Sequence, residues 1–272
     1  MKRFVIIANR EKDPELVLSN RIKAYLVQHQ CECSVVDDVQ GEEPECAIIV
    51  GGDGTILQAA RILVEREIPM IGVNVGHLGF LAEIEVADLE QTLDSLINDK
   101  YRMEQRMMLS GWVQKKNEIT ETIAALNDIV VGRAGYSRII QLKIWVNDEL
   151  LDIYQADGVI LSTPTGSTGY NLSAGGPVVN PKSQAIVITP ISPHSLSARS
   201  IVLSADDVIR IEIGRVRKSQ AEEGAATFDG KVDIPLEPGD VVTVCKSKYN
   251  ARLVKLKESS FYEILRSKLS NH

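Results

Sequence analysis

Gly51-Gly52-Asp53-Gly54-Thr55 places one carboxylate among residues with little or no side chain, directly after the apolar run Cys46-Ala47-Ile48-Ile49-Val50. The run reads as a buried strand, the glycines as a tight loop, and the pattern that follows as a helix N-terminus. Backbone N–H groups at a helix start have no partner within the helix and attract phosphate. Gly51, Gly52, Gly54 and Thr55 are therefore candidate phosphate-binding residues. A carboxylate is out of place in a loop that only binds phosphate, because like charges repel. Asp53 makes sense if it takes a proton from an attacking hydroxyl or helps place Mg²⁺. The plainer alternative is a turn that merely joins strand to helix, since Gly-Gly and Asp-Gly are common in turns.

A second dense stretch runs from Asp157 through Gly158-Val159-Ile160-Leu161 into Ser162-Thr163-Pro164-Thr165-Gly166-Ser167-Thr168-Gly169-Tyr170-Asn171-Leu172-Ser173. A strand leads into a loop of hydroxyls and glycines. Small residues let a ligand approach, and the hydroxyls can donate to ribose or phosphate. Tyr170 can stack on a planar ring or end a core. Such runs are also common in plain loops. Asn127-Asp128 interrupts an apolar strand pattern, either as a bulge or as a ligand contact. Asp229-Gly230 reads first as a hairpin turn. Arg138 and His194 have no informative neighbours. Gly-x-Ser-x-Gly, the P-loop and an early Gly-x-Gly-x-x-Gly are all absent, which argues against serine hydrolases, P-loop kinases and standard dinucleotide dehydrogenases.

The chain has 272 residues, 44% hydrophobic and 25% charged, enough for one large domain or two small ones. Its net charge of −7, with no lysine- or arginine-rich block, makes nucleic acid and anionic membrane poor partners. No apolar run approaches the ~18 residues of a membrane helix. The apolar run after Met1-Lys2-Arg3 ends too soon for a signal peptide, so a cytoplasmic address is expected. Cys31, Cys33, Cys46 and Cys245 lack zinc spacing, and the histidines form no HExxH cluster, so no protein-held metal site is expected.

These candidate residues need elements to hold them. Phe4–Ala8, Cys33–Val36, Cys46–Val50 and Met70–Val73 read as buried strands. Helices are expected from Asp13-Pro14 to Gln28, with Asp13 as cap, from about Thr55 to Arg66, and from Val86 to Asn98. This alternation signals an open parallel sheet covered by helices, with ligands at the carboxyl ends of its strands. From Gly111 onward short β runs take over: Trp112-Val113, Ile129–Val131, Ile139–Val146, Val159–Leu161, Ile186–Ile188, Val208–Ile213 and Val241–Val244. Leu142, Ile144 and Val146 alternate, as do Ile209, Ile211 and Ile213, so each strand buries one face. The expected organisation is an α/β domain with an open parallel sheet over residues 1–100, then a mostly antiparallel β-rich domain over 101–256. A last helix, Ser259–Leu269, is expected to pack back on the first domain and bring 257–272 into it.

Taken together, Gly51–Thr55, Gly72-Val73-Asn74-Val75-Gly76-His77-Leu78-Gly79-Phe80-Leu81, Leu126-Asn127-Asp128, Ala156-Asp157-Gly158, Ser162–Ser173 and Thr189-Pro190-Ile191-Ser192-Pro193-His194-Ser195-Leu196 resemble NAD kinases in content and order. Gly-Gly-Asp-Gly alone is shared with diacylglycerol, sphingosine and 6-phosphofructokinases. The resemblance implies the two-domain NAD kinase fold and a homo-oligomer, tetramer or dimer. It implies transfer of the γ-phosphoryl group of ATP (or a phosphoryl group of polyphosphate) to the 2′-hydroxyl of the NAD adenosine ribose. A divalent metal, Mg²⁺ delivered with ATP, would assist. Asp53 would accept the proton. Gly54, Asn127, Asp128, Asp157 and the run Thr168, Gly169, Tyr170, Asn171, Leu172 and Ser173 would hold NAD, with Thr165 nearby. Phe80 would line the pocket and Arg138 would sit near it.

The chain departs from the family pattern at Asp128, often Glu, at Gly169, often Ala, and at Gln155, where an arginine is common. Gln155 therefore brings no positive charge to the nucleotide. Two rivals remain at this stage. A lipid or sugar kinase would keep Asp53 without the Asp157–Ser173 loop, and a dinucleotide sensor would keep the loop without needing Asp53.

Overall fold

The computed structural model describes residues 1–76, 79–134, 139–195, 197–214, 224–256 and 261–269. The chain divides into two compact units. The first comprises Met1–Arg106 and the chain from Tyr249 onward, and the second Met107–Lys248.

The first unit contains β1 (Arg3–Ala8), α1 (Val17–Gln28), β2 (Glu32–Val35), β3 (Cys46–Gly51), α2 (Asp53–Leu63), β4 (Met70–Asn74), β5 (Ile84–Glu85) and α3 (Leu89–Ile97). Its strands are parallel in the order β2-β1-β3-β4, with β5 beside β4. All of β3 is buried, which is why it reads as an unbroken apolar run. Ile22 and Leu26 of α1 and Leu93 and Leu96 of α3 join Ile6, Ile48, Val50 and Val73 in one core. Gly72, between two residues of that core, turns its bare Cα toward Ile56 of α2 on the opposite face. The chain leaves β1 for β2 on one side and β3 for β4 on the other. The order of winding therefore reverses between β1 and β3, where open α/β sheets form a crevice at their carboxyl ends.

Both helix starts differ from expectation. Pro14–Leu16 is a short 3₁₀ turn, and Glu15 and Leu16 have φ of 56° and 57°, which stops it from running into α1. Asp13 still caps α1, but from further back. Its carboxylate accepts the N–H of Leu18 at 2.9 Å, the N–H of Ser19 at 2.9 Å and the Ser19 hydroxyl at 2.6 Å. Helix α2 begins at Asp53 itself, with Gly52 as its cap, and gives way to a 3₁₀ turn over Val64–Arg66.

β6 (Arg102–Gln114) crosses the boundary between units. The second unit continues with β7 (Ile123–Ala125), β8 (Asp128–Arg133), β9 (Ile140–Val146), β10 (Glu149–Ala156), β11 (Gly158–Ser162), α4 (Tyr170–Ser173), β12 (Ala185–Ile191), β13 (Ile201–Ser204), β14 (Ile209–Gly214), β15 (Gly224–Phe228) and β16 (Val232–Leu236). β17 (Val241–Lys255) crosses back, and α5 (Phe261–Leu269) follows. One sheet runs β13-β12-β11-β8-β15-β16, and the neighbours are antiparallel throughout. A second antiparallel set has β9 between β10 and β14, with β14 also paired to Val241–Val244. Their inner faces share one core, in which Leu142, Ile144, Ile209 and Ile211 meet Ile129, Val131, Val159, Leu161 and Phe228.

Strands β10, β13, β15 and β16 escape the sequence pattern. Gly224-Ala225-Ala226 is too small to read as β, and β10 is mostly exposed. Pro235 is tolerated because β16 pairs only with β15 and so lies at a sheet edge.

Asp13 supplies the first testable consequence. Asp13→Ala should lower stability by about 1–2 kcal/mol, the cost of losing a strong helix cap. Urea unfolding checks this, and an unchanged midpoint would deny the carboxylate any capping role.

Candidate functional site

In the first unit the loop after β3 delivers Asp53 as the opening residue of α2. Its side chain is half-buried and turns toward the loop after β4. There its carboxylate accepts the N–H of Phe80 at 2.7 Å and of Leu81 at 3.2 Å. Gly79 makes room for this arrangement, because a Cβ there would overlap the carboxylate and push it aside. Gly54 is exposed, whereas Thr55 is buried with its hydroxyl against Gly51. Thr55 N–H and Ile56 N–H both donate to Gly52 O, at 2.9 and 3.2 Å. The N–H groups of Asp53 and Gly54 come before the first of these bonds, where a helix has no acceptor of its own. Phe80 is half-buried, and the Lys268 ammonium of α5 stands 6.0 Å from its ring centre.

Lys12 also belongs to this site, and no sequence motif marks it. A Cβ on Gly52 would stand 2.7 Å from the Lys12 ammonium. The loop that carries Lys12 is tied down by Asn9 N–H to Val50 O (2.9 Å), Lys12 N–H to Asn9 O (3.0 Å) and Asp13 N–H to Asn9 O (2.8 Å). Only the adjacency of β1 and β3 brings Lys12 to the glycine loop, across the point where the winding reverses.

The second unit brings Asn127, Asp128 and the hydroxyl-rich loop together. Asp128 opens β8 and faces Ser162 of β11 in register. The Thr163 hydroxyl donates to Leu126 O at 2.6 Å, and Thr163 N–H to Asn127 O at 2.9 Å. Gly166 passes so close to the Asn127 carbonyl that no Cβ would fit. The Asn127 amide nitrogen faces Gly169. Tyr170 to Ser173 make the single turn α4, with the Tyr170 ring 47% exposed and Ser173 exposed. Leu172 and Thr168 are half-buried, and Thr165 is buried.

Asn171 points into the protein. Its amide donates to Ser167 O at 3.1 Å and Pro177 O at 3.0 Å and accepts from the Thr189 hydroxyl at 2.7 Å, so it shapes the loop. Asp157 is paired with Arg133 (Nε to Oδ1, 3.0 Å), which places a guanidinium here although Gln155 offers none. Gln155 is exposed, and its carbonyl accepts the His194 N–H at 2.9 Å. Arg138 lies outside the described residues.

Asp229 has a second use beyond its turn. It begins the tight link between β15 and β16, as Asp-Gly suggests, with φ of 48° at Asp229 and 65° at Gly230. Its carboxylate also reaches back to accept the N–H groups of Leu126 (2.9 Å), Asn127 (2.7 Å) and Asp128 (3.2 Å). Burial pushes the Asp128 carboxyl up to about 7, and the nearby negative charge of Asp229 adds to the rise.

The folded chain therefore holds a proton on Asp128 at pH values where the unfolded chain has lost it. That contribution to stability is fully present below pH 3.8 and is lost as pH rises from there through about 7. Asp128→Asn removes the titration. In the absence of ligand, the variant's Tm relative to wild type should rise from pH 5 to pH 8, by at least ~2 °C. A constant difference across this range would mean that Asp128 titrates normally.

The geometry places a carboxylate beside free helix-start N–H groups in one unit, and a buried carboxyl and a half-buried amide near an exposed aromatic residue in the other. Comparison with known proteins gives this a family. Residues 8–101 match the family model described as the ATP-NAD kinase N-terminal domain, and residues 126–256 match the ATP-NAD kinase C-terminal domain. The NAD kinase of Lachnoclostridium phytofermentans is 45% identical over 284 residues, covering 100% of both chains. That of Caldanaerobacter subterraneus is 40% identical over 285 residues, covering 99% of each. Yeast NADH kinase complexed with NADH superposes with a TM-score of 0.86 at 25% identity, over 99% of this chain and 88% of that one. An NAD kinase from Archaeoglobus fulgidus in complex with ATP gives 0.80 at 26% identity, over 99% of each chain. Both family models and full-length relatives at this identity agree, and the chain belongs to the NAD kinase family.

Proposed function

We propose that Asp53 is the base in the ATP-dependent phosphorylation of NAD that this NAD kinase catalyses, and that its acceptor is the 2′-hydroxyl of the adenosine ribose. The observation that carries this is the Asp53 carboxylate, aimed by two backbone N–H groups at the opening of a helix and flanked by a lysine. A ribose hydroxyl is a poor nucleophile, and a positioned base is typically worth ~10²–10⁴ in rate. Asp53 takes the hydroxyl proton onto a carboxylate oxygen as the oxygen attacks the γ-phosphorus, the bond from that phosphorus to the β,γ-bridging oxygen breaks, and ADP leaves. The N–H groups of Gly54 and its neighbours, with the Lys12 ammonium, hold the phosphoryl oxygens and spread their charge. Family membership sets aside a lipid or sugar kinase and a dinucleotide sensor.

The second unit, within the β-rich domain expected over 101–256, holds NAD in this reading. Asn127 and Asp128 meet the ribose, Tyr170 covers a base, and Thr168, Gly169, Leu172 and Ser173 close around it. Asp157 takes part with Arg133 beside it. Thr165, Gln155 and Asn171 act from the surrounding loop, and Phe80 is assigned to the nucleotide pocket on the family resemblance alone.

Among the described residues no group of three His, Cys, Asp or Glu could cage a metal. On the family resemblance a Mg²⁺ would arrive on ATP, where phosphates, water and at most the Asp53 carboxylate would hold it. When bound, it supplies positive charge to the transferring phosphoryl group.

Four free thiols suit a reducing compartment, so a cytoplasmic address belongs to this proposal. No described helix is long and apolar enough to cross a membrane. A homo-oligomer, tetramer or dimer, is proposed on the family resemblance.

Incubation of the pure protein with ATP, Mg²⁺ and NAD should yield NADP. Asp53→Asn should cut kcat by ~10² or more while NAD still binds. Near-normal turnover in that variant would reduce Asp53 to a turn residue. Lys12→Met should lower kcat/KM for ATP by ~10-fold or more and leave the Kd for NAD nearly unchanged. Wild-type dependence on ATP in Lys12→Met would take Lys12 out of the phosphate site.

A further inference from the structure

Glu83 and Lys255 form an ion pair with Oε2 to Nζ at 2.7 Å and only 6% and 13% of their side chains exposed. The other carboxylate oxygen of Glu83 accepts the Leu256 N–H at 3.1 Å. Taking two charges out of water is costly, and well-packed apolar side chains often replace such a pair without loss of stability. Stability is therefore a weak reason for having it, and its location offers a better one. Glu83 lies two residues beyond Leu81, and Leu81 and Phe80 together hold the Asp53 carboxylate. The short segment 79–83 is gripped at both ends. At one end Gly79 lies against Asp53. At the other, Glu83 N–H donates to Gly72 O at 3.1 Å, and its side chain is locked to the end of β17.

We propose that the Glu83–Lys255 pair is a positioning device for Asp53. It fixes where the Phe80 and Leu81 N–H groups stand, and through them the direction of the carboxylate toward the reacting hydroxyl. Neither side chain touches substrate. Misplacement of a reacting group by ~1 Å is enough to cost ~10² in rate, so a small slip of segment 79–83 would be felt in turnover. The proposal rests on Asp53 being the base.

The test compares Glu83→Gln, Lys255→Met and the charge-swapped double variant Glu83→Lys/Lys255→Glu, at a temperature where circular dichroism shows each folded. Each single variant should lose kcat by ~10-fold or more while KM for ATP and NAD stays within ~3-fold. The swapped pair should recover part of that loss through the restored ion pair, but not the bond to Leu256, because an ammonium cannot accept an N–H. In an Asp53→Asn background, Lys255→Met should have little further effect on kcat, because the group it aims is gone. If Lys255→Met does not fold, Glu83→Gln carries the same comparison, since it keeps the shape and the bond to Leu256. Full kcat in the folded single variants, whatever their Tm, would make the pair structural only and overturn the proposal. An equal further loss in the Asp53→Asn background would also overturn it, while leaving Asp53 as the base. Normal turnover in Asp53→Asn alone would instead remove the base assignment, and this inference with it.

Discussion

The Asp53 carboxylate and the two N–H groups of Phe80 and Leu81 form the interaction on which the geometry of the first unit's candidate site depends. A carboxylate on a glycine-rich loop would otherwise sample several rotamers. Here two fixed backbone donors choose one, and the absence of a side chain at Gly79 makes the approach possible. The donors come from the loop after β4 and the carboxylate from the loop after β3, so the bond exists only because those strands are neighbours in register, Gly51 beside Asn74. Sheet order, loop composition and the aim of one side chain are thus a single constraint.

The second unit uses the same chemistry for a different purpose. Asp229 also spends its carboxylate on backbone N–H groups, those of Leu126, Asn127 and Asp128. There the carboxylate is the scaffold, and the backbone it holds carries the candidate ligand residues. The cost appears at Asp128, whose own carboxyl is buried close to the Asp229 charge and holds its proton into the neutral range. Stability is given up locally where two acids are kept near one candidate ligand site, a pattern found where pKa values matter to function.

Much of this was legible in the residues. The apolar strand, the glycine loop and the acid at its end were plain because a strand buried on both faces shows as a continuous apolar run. The start of α2 was harder, since a glycine cap has no side chain to announce it. The small residues of β15 hid a strand that only its neighbours reveal. Lys12 and the second role of Asp229 could not be read at all. Both depend on contacts between segments far apart in the chain, Lys12 with Gly52 and Asp229 with Asn127. Local pattern reports which residue types are present, whereas these contacts are created by strand order. Asn171 shows the converse: it sits within the recognisable loop, yet its amide is occupied by the protein.

The first unit is discontinuous, because the chain leaves it after Arg106 and returns at Tyr249. Lys255 follows Glu83 by 172 residues. At ribosomal speeds of roughly 5–20 residues per second, the glutamate waits on the order of 10–30 s for its lysine. Through that interval the nascent chain already contains the whole glycine loop and its aspartate, but not the strand end that locks the neighbouring segment. The first unit's candidate site is in this sense completed late in synthesis. A ribosome that stalls inside the β-rich unit holds a chain that has its glycine loop and Asp53 but lacks the partner that secures the neighbouring segment.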